Sequence, residues 1–535
     1  MTRSKSAEKK APEGTQAIQR ALHLLEELAS GVRDRGLGDL AAALDLTKPT
    51  AHRILAALEA GGLVARSPEG ALYRLGPRAG EIDRAALRQR GGSLAETTPF
   101  HRRILEHVTS FSWREWSGYQ CPLTYGHSYG REYWAVRDAA GVIDVSPLDK
   151  LEVRGPQARA LLQRVTTRDL AKLRPGRVAY STWCDDAGKV LQDGNVVCLA
   201  DDRFRLTAAH PTLRWLEDCG LGLDAEVVDV SREIAALALQ GPRSRAILQE
   251  ISSGADALGA LGYFGALATS IDGVAVEVTR TGFTGDLGYE LWIPADAAEP
   301  VWDALFRAGA KHGLLPVGLD ALDVLRIEAG LVLIDVDYVA AHQSLLERRK
   351  STPDEAGLGW TVKLTPGNEF VGRPAIERER AAANGGGAAW ALVGVEVPWF
   401  ELERVHGSLG LRPLSPGQSP VRKPAPLLQA GRQVGQVTSQ VFSPLLKKQI
   451  GIASVEVGSA EVGTLLELEA VVDTRRVTFV ARVVRLPFYD PERKRSTPPA
   501  ETIGTETIGT EAIGTDAIGT EAIERAHGRS AETRS

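Results

Sequence analysis

Two groups of side chains in this 535-residue chain have types and spacing suited to chemistry. The first centres on one acid, Asp193, set into the apolar run GKVLQDGNVV at 188–197. Burying a carboxylate without a partner is costly, so an acid on a largely apolar face either meets one or has a task. Two local structures compete for it. Asp193-Gly194 is a favoured hairpin turn. However, CDDAG at 184–188 is already a turn candidate, and two turns leave a strand of only about four residues between them. The alternative is one strand from Lys189 to Leu199. Alternation then places Asp193 on a face with Leu191, Asn195, Val197 and Leu199. His210, in LTAAHPT after the next strand, is either a proton-transfer partner or a structural histidine.

The second group is Lys48, Thr50, His52 and Arg53. Their types suit phosphates and base edges if they lie at the start of a helix that enters a DNA groove. Residues 1–95 hold 15 Lys and Arg against 11 Asp and Glu, in a chain with a net charge of −5. That local reversal of sign is what attraction to phosphate needs. The other reading of this unit is a protein-interaction or dimerisation domain.

The elements around the basic group fit DNA binding. AIQRALHLLEELAS repeats apolar residues at helical spacing (Ile18, Ala21, Leu22, Leu25, Leu28), and LGDLAAALDL predicts a short second helix. TKPTAHRILAALEAGGL predicts a third, with Thr47 as cap, Pro49 in the first turn and Gly61-Gly62 at the end. VARSPEGALYRLG then reads as two strands around a Pro-Glu-Gly turn, with Arg66 and Arg74 flanking the wing. Three helices and a hairpin form the winged helix-turn-helix pattern.

The rest of the chain divides by composition. Residues 1–15 read as a disordered lead, and QRGGSLA at 89–95 as a break. From about 99 to 365 strands and helices alternate in an α+β manner, with strands near 177–183, 189–199, 204–209, 235–239 and 274–280. ERERAAANGGGAA at 377–389 reads as a charged loop, and short strands from 390 to 486 as a small barrel. The repeats ETIGT, ETIGT, EAIGT, DAIGT, EAIER in 501–525 are of low complexity. Four cysteines without CxxC spacing give no support for a metal site. The polar N-terminus and the lack of an apolar run of about 18 residues predict a cytoplasmic protein that does not span a membrane.

RALHLLEELA, LGDLAAALDLTKPTAHRILAALEAGGLV and LYRLGPRA resemble the DNA-binding domain of IclR-type regulators. That resemblance implies double-stranded DNA binding through residues 16–88, as a homodimer.

Seven stretches of the body, in order, resemble the glycine-cleavage T-protein family of aminomethyltransferases and folate-dependent demethylases. They are AVRDAAGVIDVSPLDKLEVRGPQARALLQRVTTRDL, GRVAYSTWCDDAGKVLQDGNVV, ALQGPRS, TRTGFTGDLGYELWIP, VGLDALDVLRIEAGL, GQVTSQVFSPLLKKQIGIA and RLPFYDP. The resemblance implies a three-lobed α+β fold ending in a small β-barrel, with tetrahydrofolate as cofactor. It assigns residues 96–376 to the folate-binding domain and 390–491 to the barrel, while the low-complexity composition predicts a disordered tail at 492–535. By the same resemblance Asp193 is the catalytic acid, and Glu290 meets the amino-pyrimidine edge of the pterin. Tyr180 and Tyr263 line the pterin pocket. A carboxylate suits that edge because it faces two parallel donors. Asp193 would orient the folate nitrogen, take its proton or stabilise charge on it.

Departures from the family pattern bear on the reaction. The family's Ala-Arg-Asp is Ala321-Leu322-Asp323 here, and the pocket Tyr of GYTG is Phe283. Arg326 in VLRIEAG persists, either as a pocket cation or as an ion-pair partner of Glu328. Trp113, Trp116 and Tyr119 are expected to seal a lobe. No GxGxxG opens a helix after a strand, which predicts direct transfer without a flavin domain. Two functions follow. One is a tetrahydrofolate-dependent methyl- or aminomethyltransferase, a demethylase of a small methylated amine or methoxy compound. The other is a transcription regulator whose T-protein-like body senses folate or a metabolite.

Overall fold

Leucines at helical spacing build the head. In the computed structural model, which describes residues 16–30, 35–67, 72–76, 78, 95–382, 387–413 and 419–497, helices Gln16–Ser30, Leu37–Ala43 and Lys48–Ala60 surround Leu24, Leu28, Leu40 and Leu55. The first helix turns Leu24 inward and leaves Leu22 53% exposed, a correction to the face expected from spacing. Thr47 occupies the N-cap position of the third helix, but its hydroxyl meets Thr50 Oγ1 at 2.9 Å and bonds no backbone N–H. Gly62, at φ +73°, takes the left-handed conformation that ends this helix. Strands Val64–Arg66 and Leu72–Leu75 pair antiparallel, and Arg35–Gly36 adds a third. The Pro-Glu-Gly turn, the lead at 1–15, residues 89–94 of the break and residues 498–535 of the tail lie outside the described residues.

Residues 1–96 form one compact unit and 97–535 another. The second unit contains two antiparallel-rich sheets and a closed barrel. The five-stranded sheet orders Glu226–Asp229, Asp149–Arg154, Arg203–Ala208, Val190–Ala200 and Arg177–Cys184. The six-stranded sheet includes Ile234–Gln240, Val274–Thr279 and Gly288–Pro294. Backbone bonds stitch the sheets together: Val178 N–H donates to Phe264 O at 2.9 Å, and Ala266 N–H to Gly176 O at 2.8 Å.

Six strands between Trp390 and Val484 close the barrel. Helix Leu319–Glu328 carries a buried ionic network toward it. Glu328 accepts from Arg137 Nη2 (2.6 Å), Tyr133 Oη (2.7 Å) and the barrel residue Ser443 Oγ (2.6 Å). Removing one partner of such a network strands a buried charge, which costs about 3–5 kcal/mol.

Two segment boundaries differ from expectation. Residues 373–382 form a helix, so the start of the charged loop is ordered; 383–386 lie outside the described residues. Residues 492–497, expected in the tail, fold back onto the body. Arg493 donates to Asp286 at 2.7 and 2.9 Å, and Arg280 Nη2 donates to Ser496 O at 2.5 Å. No helix among the described residues is long and apolar enough to cross a membrane.

Candidate active site

The strand Val190–Ala200 runs straight through Asp193-Gly194, so the turn alternative is excluded. Gly194 serves close packing instead. A Cβ there would meet Thr207 O at 2.1 Å and the Trp183 ring at 3.1 Å. The register skips Leu191 and Leu199, which sit at irregularities and break the expected alternation. Between them the row is Asp193, Asn195 and Val197, facing Thr182, Tyr180 and Val178 on one neighbour. On the other neighbour Thr207 and Arg205 oppose Asn195 and Val197. The opposite face, with Trp183, Val196, Cys198, Phe204 and Leu206, packs into a core. One face of this sheet thus holds the structure while the other carries polar groups.

Asp193 is gripped from two sides. Tyr180 Oη donates to its Oδ2 and Tyr338 Oη to its Oδ1. Burial pushes both phenols well above the usual tyrosine range, and the adjacent carboxylate adds to it. Both hydroxyls therefore stay protonated and act as donors. Burial also raises the Asp193 carboxyl, against the two phenol hydrogen bonds and the charge of His210, which favour the ionised form.

Tyr338 was not anticipated from sequence. It sits on an irregular segment whose turn is set by Asp335, at φ +62°, with Asp335 N–H donating to Tyr338 O at 2.7 Å. His210 Nε2 lies 2.9 Å from Asp335 Oδ2, and His210 O accepts from Gln192 Nε2 at 2.8 Å. His210 therefore sits beside the turn that presents Tyr338, and no bond from it to Asp193 occurs among the described residues. Trp360, 54% exposed, stacks on Tyr180 with centroids 5.6 Å apart and planes 11° from parallel. It too was missed, because one tryptophan in a loop carries no pattern.

Glu290 lies on Gly288–Pro294 in the other sheet. The loop before it wraps Gln240, whose Nε2 donates to Thr281 O (3.3 Å) and Tyr289 O (3.4 Å). A Cβ at Gly282 or Gly288 would meet the Gln240 side chain at 2.1 Å, which explains both glycines. Thr281 Oγ1 donates to Glu290 Oε2 at 2.6 Å. Burial raises the Glu290 carboxyl, while Thr281, the charge of Arg205 and Thr279 pull it down. Arg205 links the two faces: its guanidinium lies 4.5 Å over Trp292 and pairs with Glu277.

Most of the other expected residues have partners elsewhere. Arg326 is fully buried and bonds Asp323 (2.9 Å), Asp337 (2.6 Å), Leu331 O (3.2 Å) and Ser439 (2.8 Å). Its ion pairs are structural, and neither is with Glu328. Leu322 packs against the apolar core beside that helix. Tyr263 packs edge-on against Phe264 at 4.7 Å, near Arg495 and Asp490 of the C-terminal segment. Phe283 is half-buried in the loop preceding Glu290. Trp113 and Trp116 pack against two separate cores. In the head, Lys48, His52 and Arg53 are exposed on the third helix and Thr50 is half-buried. Arg66 is held by Glu59 at 3.0 Å.

Residues 101–366 match the GCVT N-terminal domain, and 408–490 the glycine cleavage T-protein C-terminal barrel domain. An aminomethyltransferase of Symbiobacterium thermophilum is 38% identical over 388 residues, covering 71% of this chain and 93% of that one. The chain belongs to the aminomethyltransferase family. The family's structure is represented by glycine cleavage system aminomethyltransferase T of Bartonella henselae, at 25% identity and a TM-score of 0.60 over 74% of this chain and 98% of that one. A trimethylamine-oxide aldolase of Ruegeria pomeroyi is 33% identical, over 75% of this chain and 48% of that protein. Residues 17–68 match the IclR helix-turn-helix domain. The protein is thus an aminomethyltransferase-like domain fused to an IclR-type DNA-binding domain.

Proposed function

We propose that the body is a tetrahydrofolate-dependent one-carbon transferase, with Asp193 as its catalytic acid and Glu290 as its pterin anchor. The observation that carries this reading is the grip of Tyr180 and Tyr338 on Asp193. Two phenols and a buried sheet face fix a carboxylate whose proton affinity is raised, the condition a general acid–base group needs near neutral pH.

The residues fit the cofactor. Glu290 is 8% exposed; Thr281 donates to its Oε2, and Thr279 lends it a second hydrogen bond. Two or more acceptor positions remain for the paired N–H groups of an amino-pyrimidine. Asn195 Oδ1, on the row between Asp193 and Arg205, is buried with no hydrogen-bond partner among the described residues. When bound, tetrahydrofolate supplies a nitrogen that accepts a one-carbon unit. Glu290 would fix the ring, and Tyr180 backed by Trp360 would wall it. Asp193 would hold the accepting nitrogen, take its proton as the new bond forms, and return that proton to the departing donor.

The relation to a trimethylamine-oxide aldolase favours a small methylated amine as donor, with a methoxy compound next. The match covers about half of that protein, so its named activity can reside in the unmatched half. The test is turnover: Asp193→Asn should abolish transfer from such a donor while tetrahydrofolate still binds. Unchanged turnover would remove Asp193 from the mechanism. A second reading, a regulator that senses folate without transfer, is favoured by the IclR-type head and by Leu322 in place of the family's arginine. Under it, tetrahydrofolate alters DNA binding and no donor is consumed.

A further inference from the structure

Arg205 sits where a strand facing two cores would ordinarily carry an apolar residue. Its neighbours Phe204 and Leu206 point into a core, and Arg205 points the other way, on the row shared with Asn195 and Asp193. It is 1% exposed. One nitrogen, Nη1, pairs with Glu277, whose own side chain is 32% exposed. The guanidinium carbon lies 4.5 Å over the Trp292 ring, on the strand that carries Glu290 two residues earlier. The remaining nitrogens, Nε and Nη2, are buried and meet no acceptor among the described residues. Leaving charged donors unmet in the interior is costly. A purely structural tie between the sheets needs only the Nη1–Glu277 contact and leaves this cost unexplained.

What the two side chains offer together is specific. Arg205 presents donors, and Glu290, close enough to feel its charge, presents acceptors. The complementary edge carries a carbonyl oxygen beside N–H groups. A 4-oxo pterin has that edge: O4, then N3–H, then the 2-amino group. We propose that Arg205 is a second recognition residue of this site, donating to the lactam oxygen while Glu290 accepts from the adjoining N–H groups. This rests on the pterin reading above and adds selection for the oxo form. Along the strands, Arg205 opposes Val197, four residues from Asp193, or about 13 Å. Arg205 and Asp193 would thus approach the ring from the two ends of one polar row.

The test is calorimetric titration of the full chain with tetrahydrofolate and with its 4-amino counterpart, which replaces O4 by a donor and leaves N3 without its hydrogen. The parent should prefer the 4-oxo ligand. Arg205→Met keeps an apolar chain over Trp292 and leaves Glu277 to solvent. It should weaken tetrahydrofolate by about tenfold or more, the effect of losing a charge-assisted hydrogen bond, while changing the 4-amino ligand about twofold or less. Equal weakening of both ligands, or of neither, would overturn the proposal. Glu290→Ala supplies an independent check that does not disturb Arg205. The oxo preference should survive in it at reduced affinity, and its disappearance would assign all discrimination to Glu290. If the parent binds neither ligand, the pterin reading itself fails, an outcome distinct from binding without oxo selection.

Discussion

Tyr338, 145 residues after Asp193 in sequence, donates its phenol to the one carboxylate oxygen that Tyr180 leaves free. Each phenol stabilises the ionised acid, so removing one must raise its proton affinity. Tyr338→Phe should therefore move the acidic limb of the pH–rate profile to higher pH. It should also lower kcat by about tenfold or more, the order of one hydrogen bond to a charged group. Tetrahydrofolate affinity should change little. A profile that stays in place would show that Tyr338 does not act on Asp193.

The same carboxyl has a stability consequence of opposite sign to that of a surface acid. Burial raises its folded-state pKa above the ordinary value. The folded state then binds the proton more tightly than the unfolded chain does. Relative to the acid form, ionised Asp193 costs stability as pH rises through this interval, and the full cost stands at neutral pH. Asp193→Asn, neutral throughout, should therefore match or exceed the parent in Tm at pH 7. The difference should shrink toward pH 4. A clearly lower Tm at pH 7 would contradict the assigned direction.

Gly194 gives a purely steric prediction. Gly194→Ala places a Cβ 2.1 Å from Thr207 O. The two strands must part, at a cost of about 1–3 kcal/mol. Thermal denaturation should show that loss, and turnover should fall with it because Asp193 is the preceding residue. A neutral substitution would mean that the strands are not so close.

What could be read from the sequence follows a physical divide. The strand bearing Asp193 and the helix bearing the head's basic residues were legible because each depends on local alternation or spacing, whereas Glu290 came from the family resemblance alone and its strand, Gly288–Pro294, was not expected. Tyr338 and Trp360 were not, since each reaches the site from an irregular segment whose path is set by contacts far along the chain. Arg326 shows the converse. Its place in a motif suggested a ligand, yet Asp323, Asp337 and Ser439 hold it as a buried tie between helix and barrel. Leu191 and Leu199 left the expected row because irregularities at both ends of one strand shift the register.

In the head, Arg53 and Lys48 are exposed on the third helix, within the segment that matches the IclR helix-turn-helix domain. Arg53→Ala should weaken binding of the full chain to an upstream palindromic site. If Arg53 meets phosphate, the loss should be similar across sequences, and the slope of log affinity against log salt should fall by about one. An unchanged slope with lost sequence preference would place Arg53 on a base instead.

The central claim is that Glu290 anchors a pterin on which Asp193 acts. Its most direct test is calorimetric titration of the purified full chain with tetrahydrofolate, beside the Glu290→Ala variant. The account predicts roughly micromolar binding by the parent, weakened about a hundredfold or lost in the variant. Equal binding by both proteins, or none by the parent, would contradict it.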